Sequence, residues 1–555
     1  MVSIFIDGKL TRFQSEIKYA FSFILQTLGY SYCFISDTGR LNKNDILLIY
    51  GYNEPTPEDL KGIARHYITI YIKCDPDLYD PKAFSPDKLR KSISEIKLLS
   101  MTPIISSRKF QYPAENYSES NVHAGKINFD LVGNIFFHLA GLEERIENRQ
   151  DPNAACLDST SCFHPYRETP YVDNLLWLLD SLIKEHTRAK GVYIVQKQYW
   201  PEAQQCAATL SHSVDNLRKW DYASLFLSVA SDLGMFFTFN WRQLWHTIAG
   251  KLKFLFTNYE LYWNFDEFRE LEKDSRCRST WFIAPQQNEY INYSLEDPDL
   301  QEEISQLLAD GNEVGLLMTA DKPNLDDYVT RKQIMLHQIH REQIGVRQLG
   351  YRTGEPLREL YNKLSPQYSQ STAWSEAPGY PFGFSVPYQP WITGIKAGYW
   401  ELPTVFRDSY LKVNAYKVLQ LDDAKRTVKK FFQNTNRTRG IYGLDFSLAS
   451  YTDVHYSKKL YTYLLALLRS GKIWICTAQE LITWWEKRSR VTIDESDYEI
   501  SVYFPDDLEH LSLQIFNEAK IREIEGAPAL VDNNLIRFSN VKAGSIAVIR
   551  LLKDQ

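Results

Sequence analysis

The stretch 206–220 closes a short apolar run on Ser211, His212, Ser213 and Asp215 before a helical pattern begins. A hydroxyl, an imidazole and a carboxylate gathered at a strand end are groups that hydrolytic and metal chemistry use. A β-strand delivers such side chains to the carboxyl-end rim of a (β/α) barrel, where that fold places its chemistry. Along an extended strand Ser211, Ser213 and Asp215 share one face, so His212 points the opposite way and is expected to be packed or hydrogen-bonded. His337 and His340 stand at i and i+3 on a predicted helix, a spacing that can hold metal, but no third ligand is evident nearby. No Gly-x-Ser-x-Gly elbow and no Cys-His arrangement is recognisable. The seven cysteines are scattered, without a C-x-x-C pair, which argues against a disulfide framework or a zinc knuckle.

The elements that must position these residues alternate along the chain. Strand-like runs at 279–284, 312–318, 345–352, 369–373, 400–406, 440–446 and 473–476 are separated in many places by helical patterns, such as 326–343 and 456–468. Repeated β-then-α units mean a parallel sheet, and about eight of them predict a closed or nearly closed barrel over 201–488. The aromatic-rich stretch 220–273 reads as a helical insertion over the barrel mouth. Upstream, 1–125 reads as a small α/β domain without a glycine-rich phosphate loop, and 126–200 as a helical connector. There Phe129, Leu131, Val132, Ile135, Phe136, Leu139 and Leu142 recur at helical spacing, and His138 is expected in the core. Downstream, 489–555 shows short alternating strands and reads as an antiparallel β domain.

A chain of 555 residues suits several domains. Its net charge of −6 gives no basic field to collect nucleic acid or an anionic membrane. The most apolar late window, 460–468, is broken by Arg469 and Lys472 well short of a membrane span. No signal peptide is visible, so a soluble, cytoplasmic protein is expected.

Residues 210–216, 278–283, 312–316, 346–348 and 474–485, in that order, resemble the polysaccharide deacetylase family (NodB homology domain). The likeness is strongest to the branch with an extra N-terminal domain ending in a motif similar to 129–137. The resemblance implies an α/β fold with a distorted (β/α) barrel. It also implies metal-dependent removal of acetyl groups from sugars: one Asp activates water, a second Asp and two His hold the metal, and an Arg, a further Asp and a late His assist. Carried across, the base position is Ser213, which cannot accept a proton near neutral pH without an activator of its own. The metal Asp survives as Asp215. Leu317 stands where a His ligand is usual, and the later ligand position falls near Asp321. Arg347-Gln348-Leu349 replaces an Arg-Gln-His pattern while Arg352 remains, Gln370 replaces an Asp, and Leu444, flanked by Asp445, replaces the late His. Leucine has no lone pair for a metal.

The expectation is therefore a deacetylase-like pseudoenzyme without a cofactor, in which Asp215, Arg352 and Asp445 are vestigial, Asp215 caps the following helix and Asp321 sits in a solvated loop. Trp281, Trp374, Tyr380, Tyr388 and Trp391 would line a glycan-binding cleft, since flat rings beside polar groups suit sugar faces. The partner would be a glycan or a polysaccharide-pathway protein. One alternative is an active deacetylase with a divalent metal on Asp215 and Asp321; another is a scaffold with no small ligand.

Overall fold

The computed structural model describes residues 1–37, 41, 45–106, 109–117, 122–147, 157–220, 225, 227–257, 261–319, 324–351, 354–414, 417–496, 498–517 and 520–552. Nine parallel strands make the central sheet: β1 (Cys206–Val214), β2 (Ser279–Ile283), β3 (Glu313–Met318), β4 (Val346–Gln348), β5 (Tyr368–Thr372), β6 (Trp400–Pro403), β7 (Phe406–Arg407), β8 (Ile441–Asp445) and β9 (Ile473–Cys476). Their spatial order is β6-β5-β4-β3-β2-β1-β8-β7, with β9 also paired to β1. Helices fill many of the crossovers, as parallel neighbours require.

The sheet curls until its two edges meet in one continuous segment. β6 pairs with β5, Thr404 N–H then donates to Thr372 O at 3.1 Å, Val405 N–H donates to Gly443 O at 2.8 Å, and β7 pairs with β8. Two residues suffice for residues 400–407 to change partners. On the other flank of β1, its first half (Cys206–Thr209) pairs with β9 and its second half (Leu210–Val214) with β2. The result is the distorted (β/α) barrel expected from the sequence.

All nine residues of β1 are buried. It is a central strand covered on both faces, which explains why an apolar run precedes its polar end. The helix Ala478–Arg490 behind β9 starts on a capping box: Glu480 N–H donates to the Thr477 hydroxyl, and Thr477 N–H donates to the Glu480 carboxylate.

Ahead of the barrel lies a six-stranded sheet in the order Tyr32–Ile35, Val2–Ile6, Ile46–Gly51, Ile68–Lys73, Ala124–Ile127 and Ala114–Asn116. Its first five strands are parallel and the last is antiparallel. The run with helical spacing from Phe129 to Leu142 falls in two helices, Leu131–Leu139 and Leu142–Ile146, separated at Gly141, whose φ of 58° is left-handed. His138 is in the core as expected, and burial drives its pKa down to about 3.

After the barrel come two antiparallel four-stranded sheets. The second takes an edge strand from far upstream: Ile194–Lys197 pairs with Ser512–Phe516. The stretch read as a helical connector thus contributes a strand to the C-terminal β region. The described part of the insertion forms three helices, α1 (Val229–Phe237), α2 (Trp241–Thr257) and α3 (Phe265–Asp274). Helix α2 is tied to the segment after β8, where Gln243 donates to Asp453 O and His246 donates to Thr452 O. Among the described residues no helix is long and apolar enough to cross a membrane.

Candidate functional site

Strand alternation sorts the motif residues as expected. His212 points outward into the helix layer: Nδ1 donates to Phe446 O at 2.9 Å, Nε2 pairs with Glu272 at 2.8 Å, and the ring lies against Phe268 and Trp281. Ser211 and Ser213 point into the barrel.

There the two serines meet a buried guanidinium. Arg347 on β4 donates to Asp445 at 2.6 Å, to Ser213 Oγ at 3.1 Å, to Ser211 Oγ at 2.7 Å and to Gln370 O at 3.2 Å, and lies 4.0 Å from the Phe282 ring centroid. Ser213 donates to the same Asp445 carboxylate. Arg347 is 0% exposed and Asp445 3%. A buried ion pair persists only when further hydrogen bonds satisfy its remaining groups, and this one has them.

Three carboxyl groups are electrostatic neighbours at this mouth. Burial pushes Asp215 up to about 6, and the charge of Asp445 adds to the effect. Asp408, just after β7, is raised well above the usual carboxylate range by burial, then by Asp445, with a contribution from Asp215. Lys412 works the other way on both groups.

The structure brings Ser213, Asp215 and Asp445 together and adds Arg347 and Asp408, which sequence reasoning did not assign. The period-two alternation in 346–348 was the available signal for Arg347. Asp408 had none, because it enters from a turn after the closing strand. Arg352 and Asp321 lie outside the described residues. Asp215 accepts from Asn216 N–H at 3.0 Å in irregular backbone just past β1, so it does not cap a helix as expected. Leu444 pairs with Leu210 on β1, whereas Asp445 pairs with Ser211. Asp445 therefore faces the interior, and Leu444, which precedes it, lies on the other face. Leu317 pairs with Arg347 and is fully buried, putting hydrocarbon beside the guanidinium.

These residues do not fit a catalytic divalent metal. Asp445 is committed to Arg347 and Ser213, Leu317 offers no lone pair, and a fixed guanidinium would repel a second cation. Among the described residues no group of three or more His, Cys, Asp and Glu is placed to hold one.

The five aromatic residues expected to line a cleft are buried instead. Trp281 stacks on Phe265 and donates to Ser279 Oγ, Trp374 donates to Tyr380 O, and the Tyr380 hydroxyl lies 2.8 Å from that of Thr435. Tyr388 stacks on Phe384, and Trp391 stacks on Tyr19 of the N-terminal region. Their exposure runs from 0% to 8%, so no sugar face reaches them. Each packs beneath a neighbouring helix or loop.

An open cavity does lie at the mouth, bounded by the insertion. About 310 Å³ in volume, it is lined by residues that include Lys219, Trp220, Tyr262, Lys412, Lys417 and Asp453. Lys219 and Lys412 each approach Asp453 to 2.6 Å; burial opposes ionisation there, but the two ammonium groups outweigh it and hold the carboxyl below its ordinary range. Lys219 also lies 5.3 Å from the Trp220 ring centroid and 5.5 Å from that of Tyr262. The adjacency of Lys219 and Trp220 directly after the motif strand is the sequence signal for this cavity.

No family model and no curated protein matches the chain. Among solved structures it is similar to proteins named polysaccharide deacetylases from Mycobacterium smegmatis and from Pseudomonas aeruginosa PAO1. The first is 13% identical with a TM-score of 0.37, covering 54% of this chain and 96% of that one. The second is 11% identical with a TM-score of 0.37, covering 52% and 93%. A third, Puue Allantoinase, is 11% identical with a TM-score of 0.36, covering 52% and 92%.

Proposed function

We propose that this chain is a polysaccharide deacetylase-like protein without hydrolytic activity, acting in glycan recognition or polysaccharide assembly in the cytoplasm. One observation carries the reading. The side chain at the expected base position, Ser213, is held between Arg347 and Asp445, and the carboxylate that would have to activate it is committed to the guanidinium. A serine so placed neither accepts a proton from water nor binds a Lewis acid.

Recognition moves from the barrel axis to the cavity at its mouth. Trp220 and Tyr262 supply ring faces, and three lysines against two aspartates in the lining favour an acidic saccharide. The six described cysteines stand free, which suits a reducing compartment.

The test pairs acetate release from acetylated oligosaccharides, with divalent metals supplied, with binding to a panel of neutral and acidic oligosaccharides. The expected result is no turnover, with binding of an acidic saccharide that Trp220→Ala weakens about tenfold. Turnover abolished by Asp215→Asn would overturn the inactive reading. Absence of binding across the panel would overturn glycan recognition in favour of a scaffold.

A further inference from the structure

At the end of the barrel opposite the mouth, where the chain enters β8, a second cavity of about 630 Å³ lies between the helix Tyr171–Lys190 and the last turn of the helix Leu421–Thr438. On the first helix Trp177, Ser181, Lys184 and Arg188 line it at i, i+4, i+7 and i+11, one stripe about 16 Å long. Arg437 and Arg439 line it from the second. Unlike the buried aromatics of the barrel, Trp177 is 42% exposed, so a ligand can reach its ring.

The charges around this cavity do not balance. Asp180 is tied to Lys184 at 2.6 Å and also accepts from Tyr30 and Gln196, and Glu185 accepts from the Asn116 amide at 2.7 Å. Asp173 is buried, which pushes it up to about 7, and it accepts from Ser385 N–H at 2.8 Å. Three guanidinium groups are left over. Among the described residues none of Arg188, Arg437 and Arg439 is in an ion pair; Arg437 is held by Leu99 O at 3.0 Å, and the side chains of Arg188 and Arg439 make no hydrogen bond. Burial lowers Lys184, and against the pull of Asp180 the charge of Arg439 adds to that effect, so the second wall is felt at the first. Like charges gathered in a concave surface concentrate the field that draws an anion.

A cation near a helix C-terminus offsets the helix dipole, which accounts for Arg188 and Arg437 singly. It does not account for Arg439. That residue takes the left-handed position closing the second helix, φ 60°, where glycine is favoured. An arginine kept there at a cost to stability, with its side chain on the cavity, points to a use for the side chain.

We propose that this cavity binds a phosphorylated, hydroxyl-bearing small molecule, a sugar phosphate or a nucleotide, with its phosphoryl oxygens on Arg188, Arg437 and Arg439 and its flat face on Trp177. Guanidinium forks match phosphoryl oxygens two at a time, which a lysine cannot do. The Ser181 hydroxyl donates to Leu178 O at 2.8 Å and keeps lone pairs for a ligand hydroxyl. The site is separate from the mouth and does not rest on glycan recognition there.

Isothermal titration calorimetry of the full chain with pyrophosphate, ribose 5-phosphate and ADP, and with sulfate as control anion, tests the proposal. Expected is saturable binding of ribose 5-phosphate or ADP with a Kd below about 100 μM, at least about tenfold tighter than sulfate. Arg439→Gly should weaken it about tenfold while melting no lower than the parent, because glycine suits that backbone; the loss also places the binding away from the lysines of the mouth. Trp177→Ala should weaken the organic ligand about fivefold and leave pyrophosphate unchanged. ADP binding tighter than ribose 5-phosphate identifies a nucleotide as the source, and equal affinities a sugar phosphate. No saturable binding of either, sulfate bound as tightly, or affinities unchanged by both Arg439→Gly and Arg188→Gln overturns the proposal.

Discussion

Asp215 is kept at an energetic cost. Burial, reinforced by Asp445, raises it from 3.8 to about 6, so between about pH 4 and pH 6 the folded chain binds a proton that the unfolded chain has released. Stability contributed by this group is therefore lost as pH rises through that window, and at neutral pH the charged carboxylate is a net penalty. Asp215→Asn should stabilise the protein by about 1–2 kcal/mol at pH 7, and the gain should vanish below pH 4; urea unfolding at several pH values measures it. A loss of stability at pH 7 would mean that Lys412 outweighs burial. At this scale the sequence was half legible. Period-two alternation placed Ser213 and His212 on opposite faces correctly, because β1 is regular to its end. The same rule would have selected Arg347 over Arg352, but an arginine inside a barrel contradicts the ordinary burial of residue types, and only its four acceptors make it tolerable. The five misassigned aromatics failed for a different reason: a ring beside polar groups reads alike in a core and in a cleft.

Among the elements, the segment 400–407 decides whether the sheet is a barrel. Its run of β-formers marked it as a strand, yet nothing local shows that its two halves bond different neighbours, because the pairing of Val405 with Gly443 is set by residues far apart in sequence. The close approach has a signature at Gly443, where an added Cβ would meet Pro403 O at 2.1 Å. Backbone cannot swing aside as a side chain does, so Gly443→Ala should cost about 2–4 kcal/mol in thermal or urea unfolding. Gly62, in the helix Pro57–Ala64 with nothing within 4 Å of its Cβ position, is the control: Gly62→Ala should be neutral or stabilising by up to about 1 kcal/mol. Equal effects at the two positions would mean that the closure is loose. The insertion was legible as helical from its spacing, whereas the outward turn of so many of its aromatic residues, Phe237 and Trp245 among them, contradicts the usual assumption that such residues face a core.

In the whole molecule, Arg488 at the end of the helix Ala478–Arg490 fastens three regions at one point. It is fully buried and donates to Gln26 O, Thr27 O, Lys197 O and Gln198 O, at 2.7 to 3.2 Å. Burial lowers it to about 10, and burial together with its charge lowers the neighbouring Lys197 to about 7. Arg488→Met would remove a charged donor from four carbonyl oxygens, of which Gln26 O keeps the Gly29 N–H, so a loss of about 3–5 kcal/mol is expected. Thermal unfolding of the parent should follow one transition in which N-terminal and barrel probes coincide; separate transitions would show that the clasp does not couple them. The strand Ile194–Lys197 sets a further condition, on the order of events at the ribosome. Its partner, Ser512–Phe516, is translated about 320 residues later, some tens of seconds at ordinary elongation rates. For that interval the nascent chain shows an unpaired strand edge. Its safe arrival in the native state then rests on chaperones or on speed of synthesis, not on the stability of the finished fold.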